Sequence, residues 1–472
     1  MRLARTRLPL ALIVTLLAMG SAAAAPASAA TVGHVFPALD SAASISSQTA
    51  SRNEYVILQA WQTDRLRSLK AANPSLNVLV YKNLAFSAQL SSSHVGPAPS
   101  GVSYSEAPDS WFLKNTGGSR FTSDHYSWLW AMDVGSAAYQ QRWTDNVLAE
   151  VEAEGWDGVF LDDASATMKY QYNPSKIAKY PNDSSYSAAM GSALAYVGPR
   201  IRAAGKLAVP NFASWVEYPS TYNGWLQHVS GALDEMFLKW GRGTGEGYRS
   251  EAQWTTQLNE VKYAASQGKA FLAFTQGSAG EAQASRYGYA TLMLASNGNA
   301  SYAFTPNYTS ESWLPEFDYD LGAPLGDETR DSSGVHRRGF QQGLVLVNPT
   351  DSARSVDFGG TYSGSGLSDA TGATMAPHSA LVLTGPPPSP AVSEAVPAPE
   401  SASAPAPSPA PTAKPKVPSN SAPSTEPADP STTTSPARQG GKGKRARRKG
   451  KAHRRARASR LARLSQAASR RS

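Results

Sequence analysis

The sequence has no cysteine in its 472 residues. That removes disulfides, thiol nucleophiles and cysteine-ligated metals together. Long hydrophobic runs are missing beyond the first thirty residues, and no later stretch approaches the roughly 18 apolar residues a membrane span requires. Histidine is sparse: His34, His94, His125, His228, His336 and His378 show neither an H-x-x-x-H spacing nor an adjacent carboxylate pattern. No G-x-S-x-G elbow occurs, and no G-x-G-x-x-G follows the first strand-like run. The glycine run at 241–247, GRGTGEG, lacks the Lys-Ser/Thr ending of a phosphate loop. The expectation is a chain that works without metal or cofactor.

The N-terminus carries Arg2, Arg5 and Arg7, an apolar run from Leu8 to Met19, and Ala27-Ser28-Ala29. This is the pattern of a secretory signal peptide over 1–30, and it predicts an extracellular protein. The net charge of +8 divides unevenly. The leader holds +3, the segment 438–472 holds fifteen Lys or Arg and no acid, and 386–437 holds −2, which leaves −8 for the body. The stretch 386–437 is rich in Pro, Ala and Ser and has too few large apolar residues to offset chain entropy, so it is expected to be a disordered, PPII-rich linker. The basic tail beyond it is expected to be disordered too. Its predicted partners are anionic cell-envelope or extracellular polymers, and the expected oligomeric state is a monomer.

Within the body, short apolar runs alternate with helical patterns. Strands are predicted at 33–37, 55–59, 77–83, 158–163, 206–212, 232–237, 270–276 and 301–304. Tyr139, Trp143, Val147 and Val151 recur at helical spacing before Gly155. Tyr186, Met190, Leu194, Val197 and Ile201 do the same before Gly205. Eight strands alternating with helices predict an α/β class and a (β/α)8 TIM barrel over 31–312, with a doubly wound sheet as the rival. The region 313–385 changes to β runs with Gly, Asn and Asp turns, which predicts a small antiparallel, sandwich-like β-domain.

The segment GWDGVFLDDA (155–164) ends an apolar strand on Asp162 and Asp163. In (β/α)8 barrels the C-terminal strand ends build the site. By that rule Lys82, Asn83, Asn211, Glu235 and Gln276 join the two aspartates at one rim, although each of these ends also admits a plain helix-capping or solvent-facing role. Two carboxylates across a cleft suit glycoside hydrolysis, one attacking or shielding the anomeric centre and the other protonating the leaving oxygen. Strand alternation sends Asp162 and Asp163 to opposite faces; Asp162 is taken as the inward residue, with Asp163 as support or substrate contact, and alternation alone does not decide which is the nucleophile. The same alternation makes Asp234 and Glu235 diverge, and Glu235 is taken as the inward one. Trp111, Trp128, Trp215 and Trp240 follow predicted strands and are candidates for stacking on sugar rings.

WAMDVGSAAYQQRW, GWDGVFLDDA, SGALDEMF and YDLGAPLGDETR with GVHRRGFQQGLVLVNPT resemble a group of bacterial TIM-barrel glycoside hydrolases, the hypothetical glycosyl-hydrolase-like family 15. The likeness spans roughly residues 50–383. A more distant one, through the D-G-V-F-L-D pattern, is to endo-α-1,4-polygalactosaminidases and α-amylase or α-galactosidase barrels. The resemblance implies a secreted, retaining, α-acting hydrolase of a polysaccharide, with Asp162 as nucleophile and Glu235 as acid/base. Asp133 would be a substrate-side or loop-anchoring residue. Phe160 stands where α-amylases carry an arginine two residues before the nucleophile. The alternative from another class is a non-catalytic carbohydrate-binding or cell-envelope protein on the same scaffold.

Overall fold

The computed structural model describes residues 32–388 except 40–42, 92–93, 95, 173–176, 214 and 242. The leader, nearly all of the linker, and the basic tail lie outside the described residues. Eight parallel strands follow in chain order: β1 (Gly33–Ala38), β2 (Tyr55–Leu58), β3 (Asn77–Asn83), β4 (Gly158–Asp162), β5 (Leu207–Pro210), β6 (Gly231–Asp234), β7 (Ala270–Thr275) and β8 (Ala300–Phe304). They form one sheet in the spatial order β5-β4-β3-β2-β1-β8-β7-β6. The two ends meet through the Asn211–Leu233 bridge and hydrogen bonds from Phe212 N to Leu233 O (2.7 Å) and Ser230 N to Ala208 O (2.9 Å). The barrel expectation therefore holds, and the doubly wound rival does not.

Among the described residues, seven helices alternate with the strands: α1 (Ser47–Arg52), α2 (Thr63–Ala72), α3 (Ala137–Glu154), α4 (Asp183–Ala203), α5 (Pro219–Leu226), α6 (Glu251–Ser266) and α7 (Ala282–Ala295). The punctuation follows the sequence. Ser136 caps α3 by accepting from Tyr139 N, and Gly155 ends it at φ 81°, a conformation that suits glycine. Gly158 then starts β4 where a Cβ would lie 2.4 Å from the Leu207 carbonyl oxygen, so only glycine permits this close strand approach.

Alternation along the strands separates two cores. Val159 and Leu161 of β4 face the helices, while Phe160 joins Leu79, Val209, Leu233, Leu272 and Phe274 in the lumen. The lumen is thus a packed apolar plug, and the next inward residue on each strand opens at the mouth.

The C-terminal region forms a six-stranded antiparallel sheet: β9 (Thr329–Arg330), β10 (His336–Phe340), β11 (Gly343–Asn348), β12 (Arg354–Gly364), β13 (Leu367–Met375) and β14 (Ser379–Thr384). Val345 and Val347 pack toward the barrel, whereas Leu344 and Leu346 share a second core with Val356, Phe358 and Met375 of the long β12–β13 hairpin. Helix α7 lies between barrel and sheet and is buried almost all round, as a helix covered on both faces must be. Arg338, itself buried, closes the seam by donating to Met293 O (3.1 Å) and Ser296 O (2.8 Å) at the end of α7.

Candidate active site

Phe160 fills the lumen, so Asp162, two residues on, points into the mouth. The same step leads from Leu79 to Tyr81, from Val209 to Asn211, from Leu233 to Glu235 and from Phe274 to Gln276. These side chains converge. Asn211 Nδ2 donates to Asp162 Oδ1 and to Glu235 Oε2, each at 2.9 Å. Tyr81 OH donates to Asp162 Oδ2 at 2.5 Å. Tyr308, from the loop after β8, donates to Glu235 Oε1 at 2.6 Å, and Gln276 Nε2 supports Tyr308 OH at 3.2 Å. Asp162 and Glu235 are only half-buried, so the pair opens to solvent.

The electrostatics follow from this packing. Burial, and then the neighbouring Glu235 charge, raise the Asp162 carboxyl above its usual range. Opposing this, Tyr81, Asn211 and the Asp163 backbone amide all donate to the Asp162 carboxylate. Asp163 sits at φ 54°, a left-handed conformation that aspartate tolerates better than most residues. Its own carboxylate accepts from Asn83 Nδ2 (2.7 Å) and Gln171 Nε2 (2.9 Å). Gln171 in turn accepts from Ser123 Oγ at 2.8 Å, which ties the long β3–α3 segment to the aspartate pair.

Asp234 diverges from Glu235 as alternation requires. It faces α6, accepts from Gln257, and burial pushes its pKa up to about 6.

Several residues expected at the rim are elsewhere. Lys82 points outward from β3, is fully buried, and pairs with Glu150 of α3 at 2.5 Å, so it cannot reach a substrate in the mouth. The inward residue is its neighbour Tyr81. Asn83 is buried too, holding Asp163 and accepting from the amides of Ala85 and Phe86. Asp133 anchors the 179–180 segment, accepting from Lys179 (2.6 Å) and from Tyr180 OH. Trp215 is a core residue, packed against Phe212 and Phe271 with Nε1 on Asn223. It has no exposed face for a sugar. Trp111 and Trp128 are half-buried against the main core. Trp240 is half-buried in the loop after β6, where its amide donates to Gly247 O.

The signal for Tyr81 is its two-residue step from Leu79, which the barrel places in the lumen. Tyr308 carries no such signal. It comes from an irregular loop, and only the fold brings it to Glu235.

The family model described as Hypothetical glycosyl hydrolase family 15 matches residues 70–344, more than half of the chain. Comparison with curated proteins gives no match. Among solved structures, the glycoside hydrolase domain of PelA from Pseudomonas aeruginosa is 15% identical, with a TM-score of 0.38 over 61% of this chain and 96% of that one. A noncanonic maltogenic α-amylase, AmyB from Thermotoga neapolitana, is 11% identical, with a TM-score of 0.43 over 75% and 98%. The Bacillus cereus spore cortex-lytic enzyme SleL is 14% identical, with a TM-score of 0.31 over 52% and 50%. Family membership rests on the family model, whose span takes in Asp162, Asn211 and Glu235: the chain belongs to hypothetical glycosyl hydrolase family 15.

Proposed function

We propose that this chain is a secreted glycosidase that cleaves a polysaccharide by a two-carboxylate retaining mechanism, with Asp162 as nucleophile and Glu235 as acid/base. The observation that carries the reading is the shared donor Asn211. Two oxygens each 2.9 Å from one nitrogen can be no more than twice that distance apart. One oxygen of each carboxylate thus lies close to the other, an arrangement compatible with the about 5–5.5 Å of retaining pairs.

In the first step Glu235 gives its proton to the glycosidic oxygen while Asp162 attacks the anomeric carbon. The bond to the leaving sugar breaks and a glycosyl ester forms on Asp162. In the second step Glu235 takes a proton from water, the water oxygen attacks the same carbon, and Asp162 leaves as carboxylate. The three donors around Asp162 favour its ionised form, as a nucleophile and leaving group requires. Action on α-linkages is carried by the family resemblance. The basic tail would hold the enzyme on anionic envelope or extracellular polymers while the linker lets the barrel reach substrate.

A polysaccharide panel scored by new reducing ends tests this reading. The wild type should release them, Asp162→Asn and Glu235→Gln should not, and both variants should stay folded. Full turnover in either variant ends its assignment. A wild type that binds but never cleaves points to the non-catalytic alternative.

A further inference from the structure

Among the described residues, six lumen-facing positions at the mouth carry side chains that already make hydrogen bonds, although Asn211 Oδ1 is itself shielded without one. Tyr81, Asp162, Asn211, Glu235 and Gln276 belong to the network above, and Thr305 donates to the Asn307 carbonyl. Gln59 is different. It follows β2, whose Tyr55 and Ile57 lie in the lumen plug, so the two-residue period turns Gln59 into the mouth. The register that pairs Leu58 with Val80 sets Gln59 level with Tyr81. Its backbone is fixed, with the amide donating to Gln62 Oε1 (2.7 Å) and the carbonyl accepting from Gln62 N (3.0 Å). Its side-chain amide has no partner: Oε1 is shielded from solvent without a hydrogen bond, and Nε2 makes none among the described residues.

A shielded acceptor with no donor is unfavourable, and native folds rarely leave one without a reason. The residue is half-buried, and its Nε2, rather than the shielded Oε1, is the atom a ligand hydroxyl in the mouth can meet. Two inter-strand steps, about 10 Å, separate β2 from the strand bearing Asp162, a gap that a pyranose ring and its hydroxyls fill. We propose that the Gln59 amide hydrogen-bonds a ring hydroxyl of the sugar unit attacked by Asp162, and so helps determine which sugar the mouth accepts. The proposal rests on the glycosidase reading above and adds a specificity contact to it.

Gln59→Leu tests it on a panel of glucan, galactan and hexosamine oligosaccharides. On whichever of these the wild type cleaves, the variant should lose about tenfold in kcat/KM, the size of one neutral hydrogen bond. Its thermal midpoint should be unchanged or raised, because an unpartnered amide is removed. A substrate lacking the contacted hydroxyl should cost the wild type a similar factor and the variant nothing further. Unchanged kcat/KM in Gln59→Leu overturns the proposal. If the wild type cleaves none of the panel, ligand-observed NMR with the same oligosaccharides separates the two ideas. Weaker binding to Gln59→Leu than to wild type supports the contact while the catalytic reading falls. Equal binding rejects the contact, and binding by neither protein rejects both.

Discussion

Asp162 and Glu235 accept hydrogen bonds from one nitrogen, Asn211 Nδ2, at equal distances of 2.9 Å. A single amide therefore links two carboxylates carried by different strands, and the Glu235 charge raises the cost of ionising Asp162.

The first expected outcome concerns Tyr81. Tyr81→Phe removes a donor that stabilises ionised Asp162 and leaves the ring packed near Phe160, 6.0 Å away. The acid limb of kcat/KM, which ionisation of Asp162 sets under this reading, should move to higher pH, and the maximal rate should fall about tenfold or more. A pH–rate profile identical to wild type would remove Tyr81 from the machinery.

The same raised carboxyl has a consequence for stability. Folded Asp162 holds its proton to higher pH than the unfolded chain does, so its contribution to stability falls as pH rises through that window. Asp162→Asn should therefore raise the thermal midpoint at neutral pH, and the gain should shrink toward about pH 4. Calorimetry of both proteins across that range checks it; a gain that grows on acidification contradicts the assigned direction.

Lys82 makes a different kind of prediction. Burial lowers its pKa and raises that of Glu150, so both partners show that desolvation weakens this pair. Lys82→Ala should destabilise by about 3–5 kcal/mol because Glu150 loses its partner. Lys82→Met with Glu150→Leu should recover most of that loss. KM in the folded fraction should not change. Denaturant titration with steady-state kinetics distinguishes this from a substrate-binding lysine, whose loss would raise KM.

Two tryptophans should separate cleanly. Trp215→Ala empties a fully buried site and should cost about 3–5 kcal/mol. Trp240→Ala, in a half-exposed loop, should leave the thermal midpoint within a few degrees and weaken oligosaccharide binding if that ring stacks on sugar. Thermal melts and ligand-observed NMR of the two variants read the difference.

The tail can be tested by truncation after Gly385. The shortened protein should remain soluble and keep its activity on small substrates, while the full mature chain should bind isolated cell envelopes and be released by salt, since screening acts over about 10 Å at 0.1 M. Equal envelope binding by both would show that the tail is not the anchor.

Much of this molecule was legible in its residues. Eight apolar runs alternating with amphipathic helices imply the barrel, because a strand buried on both faces must be apolar throughout. The period of two separates Asp162 from Asp163 and Glu235 from Asp234 by covalent geometry, and the closed barrel, with Phe160 and Leu233 in its lumen, decides which of each pair faces inward. The same rule favours Tyr81 over Lys82 once the barrel places Leu79 in its lumen. What sequence could not determine were relationships between residues distant along the chain. Asn211 as a shared clamp, Tyr308 reaching Glu235 from the loop after β8, and the burial of Trp215 depend on which segments the closed barrel brings side by side. Those contacts follow from three-dimensional packing and strand register, which local periodicity does not encode.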